Sequence, residues 1–176
     1  MWAQLGGIPD GHAGTEATIR VMAELAASPS EGGRDPEIVA LARKIVEGIP
    51  SKDYLGELNA IFNFVKENVR YVQDPRGLEH VETPRRTLLV TGQEDCDGHA
   101  TCLAALAIAL NHGVAFRTLA ADRSRPGEWS HVYAVLGYRD RQGVHWYAAD
   151  TTQAESSLGW EPGEGYAKRD WLVVDA

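Results

Sequence analysis

Residues 92–110 read "GQEDCDGHATCLAALAIAL", a cluster of acidic and thiol groups that runs directly into a long apolar segment. Asp95 suits a helix N-cap, because a short carboxylate can accept from the unpaired N–H groups of a first turn. Cys96 then becomes the first helical residue, at the positive end of the helix dipole, where a thiolate is favoured. Ala100, Leu103, Ala107 and Leu110 follow Cys96 along one stripe, so the spacing predicts a sulfur directed to where this helix packs. The pattern is open to three readings: a nucleophile, a metal ligand or an inert thiol.

The flanks differ in period. Upstream, residues 15–27, a stretch opened by Asp35-Pro36, and a third opened by Ser51 each carry apolar residues at threes and fours, which predicts three helices. The glycine-rich opening at residues 6–14 reads as an arm, and residues 71–92, with Pro75, Gly77 and Pro84, read as a long surface loop. Downstream, residues 114–120, 131–138, 144–150 and 171–174 alternate as strands do. Helices followed by a run of strands imply an α+β fold with an antiparallel sheet. Residues 1–50 are expected to form an arm and helical extension, and residues 51–176 the domain that carries the site.

Composition removes several functions. The net charge is −8, and the 17 Lys and Arg residues are scattered, so nucleic acid is not an expected partner. The longest apolar run, residues 102–110, is about half of the roughly 20 residues a membrane span needs. The start, Met1-Trp2-Ala3-Gln4, lacks the basic and apolar regions of a signal peptide, so export by that route is not expected. Cys96 and Cys102 would lie about 9 Å apart in rise and about 120° apart around one helix. They cannot bridge, and two free thiols suit a reducing compartment.

A partner for Cys96 emerges from the strands. If residues 139–142 form the loop of a hairpin, Tyr138 pairs with Gly143 and His131 falls opposite Asp150. Shifting the register by two keeps both side chains on one face. Cys96 would then attack a carbonyl, His131 would carry the proton, and Asp150 would orient His131. The Cys96 backbone N–H would supply one oxyanion donor and Gln93 is a candidate for a second, while Trp129 and Trp146 are candidates for a substrate cleft. His145 has the opposite parity. Asp95, Asp97, His99 and Cys102 could in principle join Cys96 around a metal, but the two thiols diverge and no Cys-x-x-Cys pair exists, so neither metal nor other cofactor is expected. Glu94, Asp95 and Asp97 oppose a thiolate at Cys96 by like charge.

The order of "EDCDGHA", "SHVYAV" and "YAADTT" resembles the transglutaminase-like cysteine peptidase superfamily, over roughly residues 55–175. Residues 74–117, from "DPRGLEHVETPRRTLLV" onward, resemble small transglutaminase-like proteins of bacteriophages and prophages, in which Asp-Cys-Asp-Asp opens the helix. This chain has Gly98 at the fourth position. The resemblance implies a papain- or transglutaminase-like core with its cysteine helix packed on an antiparallel sheet. It also implies peptide or protein amide substrates, acted on by hydrolysis or acyl transfer through a Cys96 thioester, and a location in the cytoplasm or a virion. A noncatalytic phage structural or interaction protein that keeps the fold is the alternative.

Overall fold

The computed structural model describes residues 2–4, 12–73 and 80–176. In chain order the elements are β1 (Trp2–Gln4), α1 (His12–Ala26), α2 (Pro36–Ile45), α3 (Tyr54–Asn68), β2 (Arg70–Tyr71) and β3 (His80–Glu82). A short α4 (Pro84–Arg86) and a π-helical turn (Thr87–Thr91) lead to β4 (Gln93–Glu94) and α5 (Cys96–Ala109). Strands β5 (Gly113–Ala120), β6 (His131–Asp140), β7 (Gly143–Ala149) and β8 (Ala167–Val174) complete the chain. The architecture is α+β, as the change of period from helical to alternating predicts. None of the described helices is long and apolar enough to cross a membrane.

The caps show why the helices start where they do. Asp35 Oδ1 accepts from the N–H groups of Glu37 at 2.8 Å and Ile38 at 3.4 Å, with Pro36 at the first helical position. Helix α3 is capped by Asp53, whose Oδ1 accepts from Gly56 N–H at 3.0 Å, rather than by Ser51. The expected arm at residues 6–14 lies mostly outside the described residues.

Helix α5 departs from the one-striped helix of the sequence pattern. Every residue from Asp97 through Ala107 is buried, with α1, α2 and α3 on one side and β5 and β6 on the other. A helix that is apolar all round is a core helix. Ile19, Met22, Ile38 and Ala42 share one core with Leu103, Leu106, Phe116 and Val132, so the first two helices are part of the packing that holds α5. A Cβ at Gly33 would stand 2.4 Å from Ala105 O, so the start of α2 approaches α5 this closely only through a glycine.

The segment read as a surface loop at residues 71–92 is, where described, ordered and partly buried. Thr83 caps α4, and its hydroxyl donates to Glu31 at 2.9 Å. The Glu82 carboxylate accepts from Arg86 Nε at 2.6 Å, Thr91 Oγ1 at 2.7 Å and Thr87 Oγ1 at 3.3 Å. These partners supply what periodicity cannot show: a buried carboxylate with its hydrogen bonds satisfied.

The sheet runs β7-β6-β5-β8, all antiparallel. The β6–β7 hairpin is tighter than the four-residue loop expected, because Asp140 pairs with Gly143. Asp140 Oδ1 accepts from the N–H groups of Gln142 at 2.7 Å and Gly143 at 3.2 Å, and Gly143 supplies a φ of 132°. The register is therefore two places from the expected one, and facing is conserved because the side-chain period is two. Continued past Ala134↔Ala149, it puts Asp150 opposite Tyr133 and diagonal to His131.

Candidate active site

Cys96 opens α5 behind a compact cap. Asp95 Oδ1 accepts from Asp97 N–H at 3.0 Å and Gly98 N–H at 3.4 Å, which leaves the Cys96 N–H outside this carboxylate's bonds. One residue earlier, the Glu94 side chain turns inward. Its oxygens accept from Glu82 N–H at 2.9 Å and Asp95 N–H at 3.0 Å, tying β3 to the start of α5. A Cβ at Gly98 would stand 2.2 Å from Glu94 Cγ, so the glycine at that position is required by the buried glutamate.

The thiol itself is partly buried, and its Sγ donates to Asp97 Oδ1 at 3.4 Å. Burial pushes its pKa up, and the charges of Asp97 and Asp95 add to that effect. The Val132 backbone N–H, aimed at the sulfur, works the other way. The helix terminus does not overcome these effects, so the resting form is a thiol. Cys102 is fully buried and also pushed up, first by burial. Asp97→Asn removes the negative charge beside the sulfur while keeping one carbonyl oxygen that can accept from it. Iodoacetamide labelling of Cys96 at pH 7 should rise on the order of tenfold for each pH unit by which the thiol's midpoint falls, while Cys102 stays unlabelled. An unchanged rate would show that Asp97 does not hold the proton on Cys96.

His131 and Asp150 meet directly: the imidazole Nε2 lies 2.8 Å from Asp150 Oδ2. Asp150 is 1% exposed, and its Oδ1 accepts from Thr152 N–H at 3.0 Å and Thr152 Oγ1 at 2.7 Å. Burial alone would raise its pKa, but the hydrogen bond and charge of His131, with the Thr152 donors, hold it below the ordinary carboxylate value. Asp150 is thus an anion at neutral pH, and its bond to Nε2 leaves Nδ1 as the nitrogen that can exchange a proton. Cys96 approaches the same strand at Val132, next to His131. Among the described residues no hydrogen bond joins the sulfur to the imidazole.

The remaining sequence candidates separate. Gln93 is exposed on β4, and its Oε1 accepts from Arg70 at 2.6 Å. Trp146 lies over Gly137, well along β7 from Asp150, and His145 pairs with Asp140 at 3.0 Å. A cavity of about 420 Å³ opens beside His131 and Asp150, and its walls include Leu119, Trp160 and Tyr166. Neither Trp129 nor Trp146 lines it. Asp95, Cys96 and Asp97 bring potential ligand atoms within 4.8 Å of one another, whereas His99 is turned away, its Nδ1 at 2.9 Å from Thr151 Oγ1. His99 Nε2 faces the Arg70 backbone without a well-formed bond, and burial pushes the ring's pKa down to about 4.

Sequence patterns missed Tyr71. Its ring centroid is 6.1 Å from that of His99, and its pKa is raised first by burial, with the negative charges of Asp95, Asp97 and Asp150 adding to that effect. Its place comes from the parallel pairing of β2 with β4, Tyr71↔Glu94, which joins residues 23 apart and leaves no short-range signal. Trp160 and the Val132 N–H were missed for the same reason.

The fold has counterparts among solved structures. No curated protein matches the chain. Among solved structures, a Cytophaga hutchinsonii protein named "putative cysteine protease" is similar over 85% of this chain and 45% of that one, with 20% identity and a TM-score of 0.55. A Parabacteroides distasonis protein named "putative protease" is similar over 82% of this chain and 32% of that one, with 11% identity and a TM-score of 0.49. The chain therefore spans less than half the length of either. The model of the transglutaminase-like superfamily matches residues 39–176, most of the chain, and the chain belongs to that superfamily.

Proposed function

We propose that the protein cleaves or transfers acyl groups at peptide or protein amides through a thioester on Cys96, with His131 and Asp150 completing the site. The observation that carries this is the 2.8 Å contact between His131 and buried, ionised Asp150, on the strand whose Val132 N–H meets Cys96. His131 Nδ1 takes the thiol proton as the sulfur bonds to the carbonyl carbon. The oxyanion is met by the Cys96 N–H, which the Asp95 cap leaves out. When the C–N bond breaks, the proton passes from His131 to the departing amine. Water then yields the acid, and an amine yields a new amide.

Because Asp97 and burial keep the sulfur protonated, the base acts during attack rather than on a preformed ion pair. The same observation favours a second reading, a noncatalytic interaction protein that retains the fold. p-Nitrophenyl acetate separates the two without a known substrate. On the first reading, intact-mass spectra show one acetyl group on Cys96, absent from Cys96→Ala and formed far more slowly in His131→Ala. Acetylation that is missing, or as fast without His131, would leave the noncatalytic reading.

A further inference from the structure

The cavity beside His131 touches the proposed base and its aspartate, but Cys96 is not in its wall. That asymmetry has a chemical direction. In acyl transfer the sulfur bonds to the carbonyl carbon while the histidine hands its proton to the departing nitrogen. The part of a substrate beyond that nitrogen therefore lies on the histidine's side.

The walls define what would fit there. Leu119, Trp160 and Tyr166 supply apolar and aromatic surface, Gln153 a carboxamide, and Arg123 a cation at the exposed lip. Arg123 is held in place: its guanidinium lies 4.4 Å from the Tyr166 ring centroid, and its Nη2 donates to Glu164 O at 2.8 Å. Gly165, at a φ of 94°, lets the chain pass close under it. Other cations nearby are consumed by carboxylates, Arg125 by Asp122 and Glu128, and Arg117 by Asp170 and Glu161. Arg123 has no ion-pair partner among the described residues, in a chain with a net charge of −8.

We infer that this cavity is the amine-side subsite, and that it takes a leaving or acceptor amine bearing an apolar or aromatic side chain and a carboxylate, bound by Arg123. This rests on the thioester reading above. The chemistry matches the C-terminal residue of a peptide, and an acidic side chain is the other source of the carboxylate. In the reaction the amine nitrogen attacks the thioester carbon, the C–S bond breaks, and the amine's proton passes through His131 to the sulfur.

The test uses the whole 176-residue chain in two arms. In ¹⁵N NMR titrations, phenylalanine should produce saturable shifts at the Trp160 indole and the Gln153 carboxamide, about five- to tenfold tighter than phenylalaninamide. Glutamic acid α-amide resolves whether an α- or side-chain carboxylate is preferred. Arg123→Gln should abolish the preference of acid over amide while retaining weak aromatic binding.

In the second arm, enzyme acetylated with p-nitrophenyl acetate receives the same amines. The yield of N-acetylphenylalanine relative to N-acetylphenylalaninamide should fall about five- to tenfold in Arg123→Gln. Equal affinities, or a preference that survives Arg123→Gln, would overturn the subsite even if Cys96 acetylates normally. Arg123-dependent binding with no trapping of acetyl-Cys96 would overturn its amine-side role. Failure of acetylation itself would strike the thioester reading instead, and the amine-side assignment with it.

Discussion

In Asp150→Asn, acetylation of Cys96 and any amide turnover should fall by about three to four orders of magnitude at pH 7, with the folded NMR spectrum retained. The two carboxylate oxygens have different duties. Oδ1 faces the Thr152 N–H and hydroxyl, and Oδ2 holds His131 Nε2. An asparagine must keep its oxygen toward Thr152, because that backbone N–H cannot reverse its role. Its NH₂ then meets Nε2, which is forced to accept, and the ring proton moves to Nδ1. The nitrogen needed as the base is thereby blocked. The same exchange in a Ser-His-Asp enzyme costs about 10⁴ in kcat. Activity should climb with hydroxide, as the thiolate forms without the base, and a variant within tenfold of the parent at pH 7 would remove Asp150 from the mechanism.

The largest effect on stability should come from Glu94. Burial pushes its pKa from 4.5 up to about 7, against the Glu82 and Asp95 N–H groups, and with the Asp95 and Glu82 charges assisting. Above pH 4.5 the unfolded carboxyl ionises while the buried one keeps its proton. Stability is thus full below 4.5 and lost as pH rises to about 7, by about 3 kcal/mol in total.

Two histidines act with the opposite sign. His99, pushed down to about 4, and His112, lowered by burial against the pull of Glu57, are neutral in the fold. Their contribution is present above 6.5 and lost as pH falls. The parent's own pH curve therefore mixes the effects, and the difference between parent and Glu94→Gln isolates one. Glutamine leaves one backbone N–H without its acceptor, a constant offset. Relative to that variant, the parent should lose about 3 kcal/mol in urea unfolding between pH 4.5 and 7.5. A difference that stays constant with pH would mean that Glu94 is already ionised in the fold.

Much of this molecule could be read from neighbours along the chain. Asp35 with Pro36, and Asp95 before Cys96, mark helix starts because capping is satisfied within three residues. Alternation marks the strands because it records one buried face. The facing of His131 and Asp150 survived an error of two in the hairpin register, since a period of two is blind to such a shift.

Other features depend on residues that the chain brings together from far apart. Residues 80–92 read as part of a loop in the sequence because their order comes from Glu31, the Glu82 network and the inward turn of Glu94. Parity put Trp146 on a face with Asp150 but could not measure distance along it, and Trp160 arrives at the cavity from a loop without any period. The helix dipole at Cys96 was legible, whereas the burial that outweighs it arises from packing around α5. Short-range order thus specified the elements and which way they face, because capping and pleating act over a few residues. Desolvation depends on everything that surrounds a group, so the charge state of the thiol and the shape of the cavity were decided only when the elements packed.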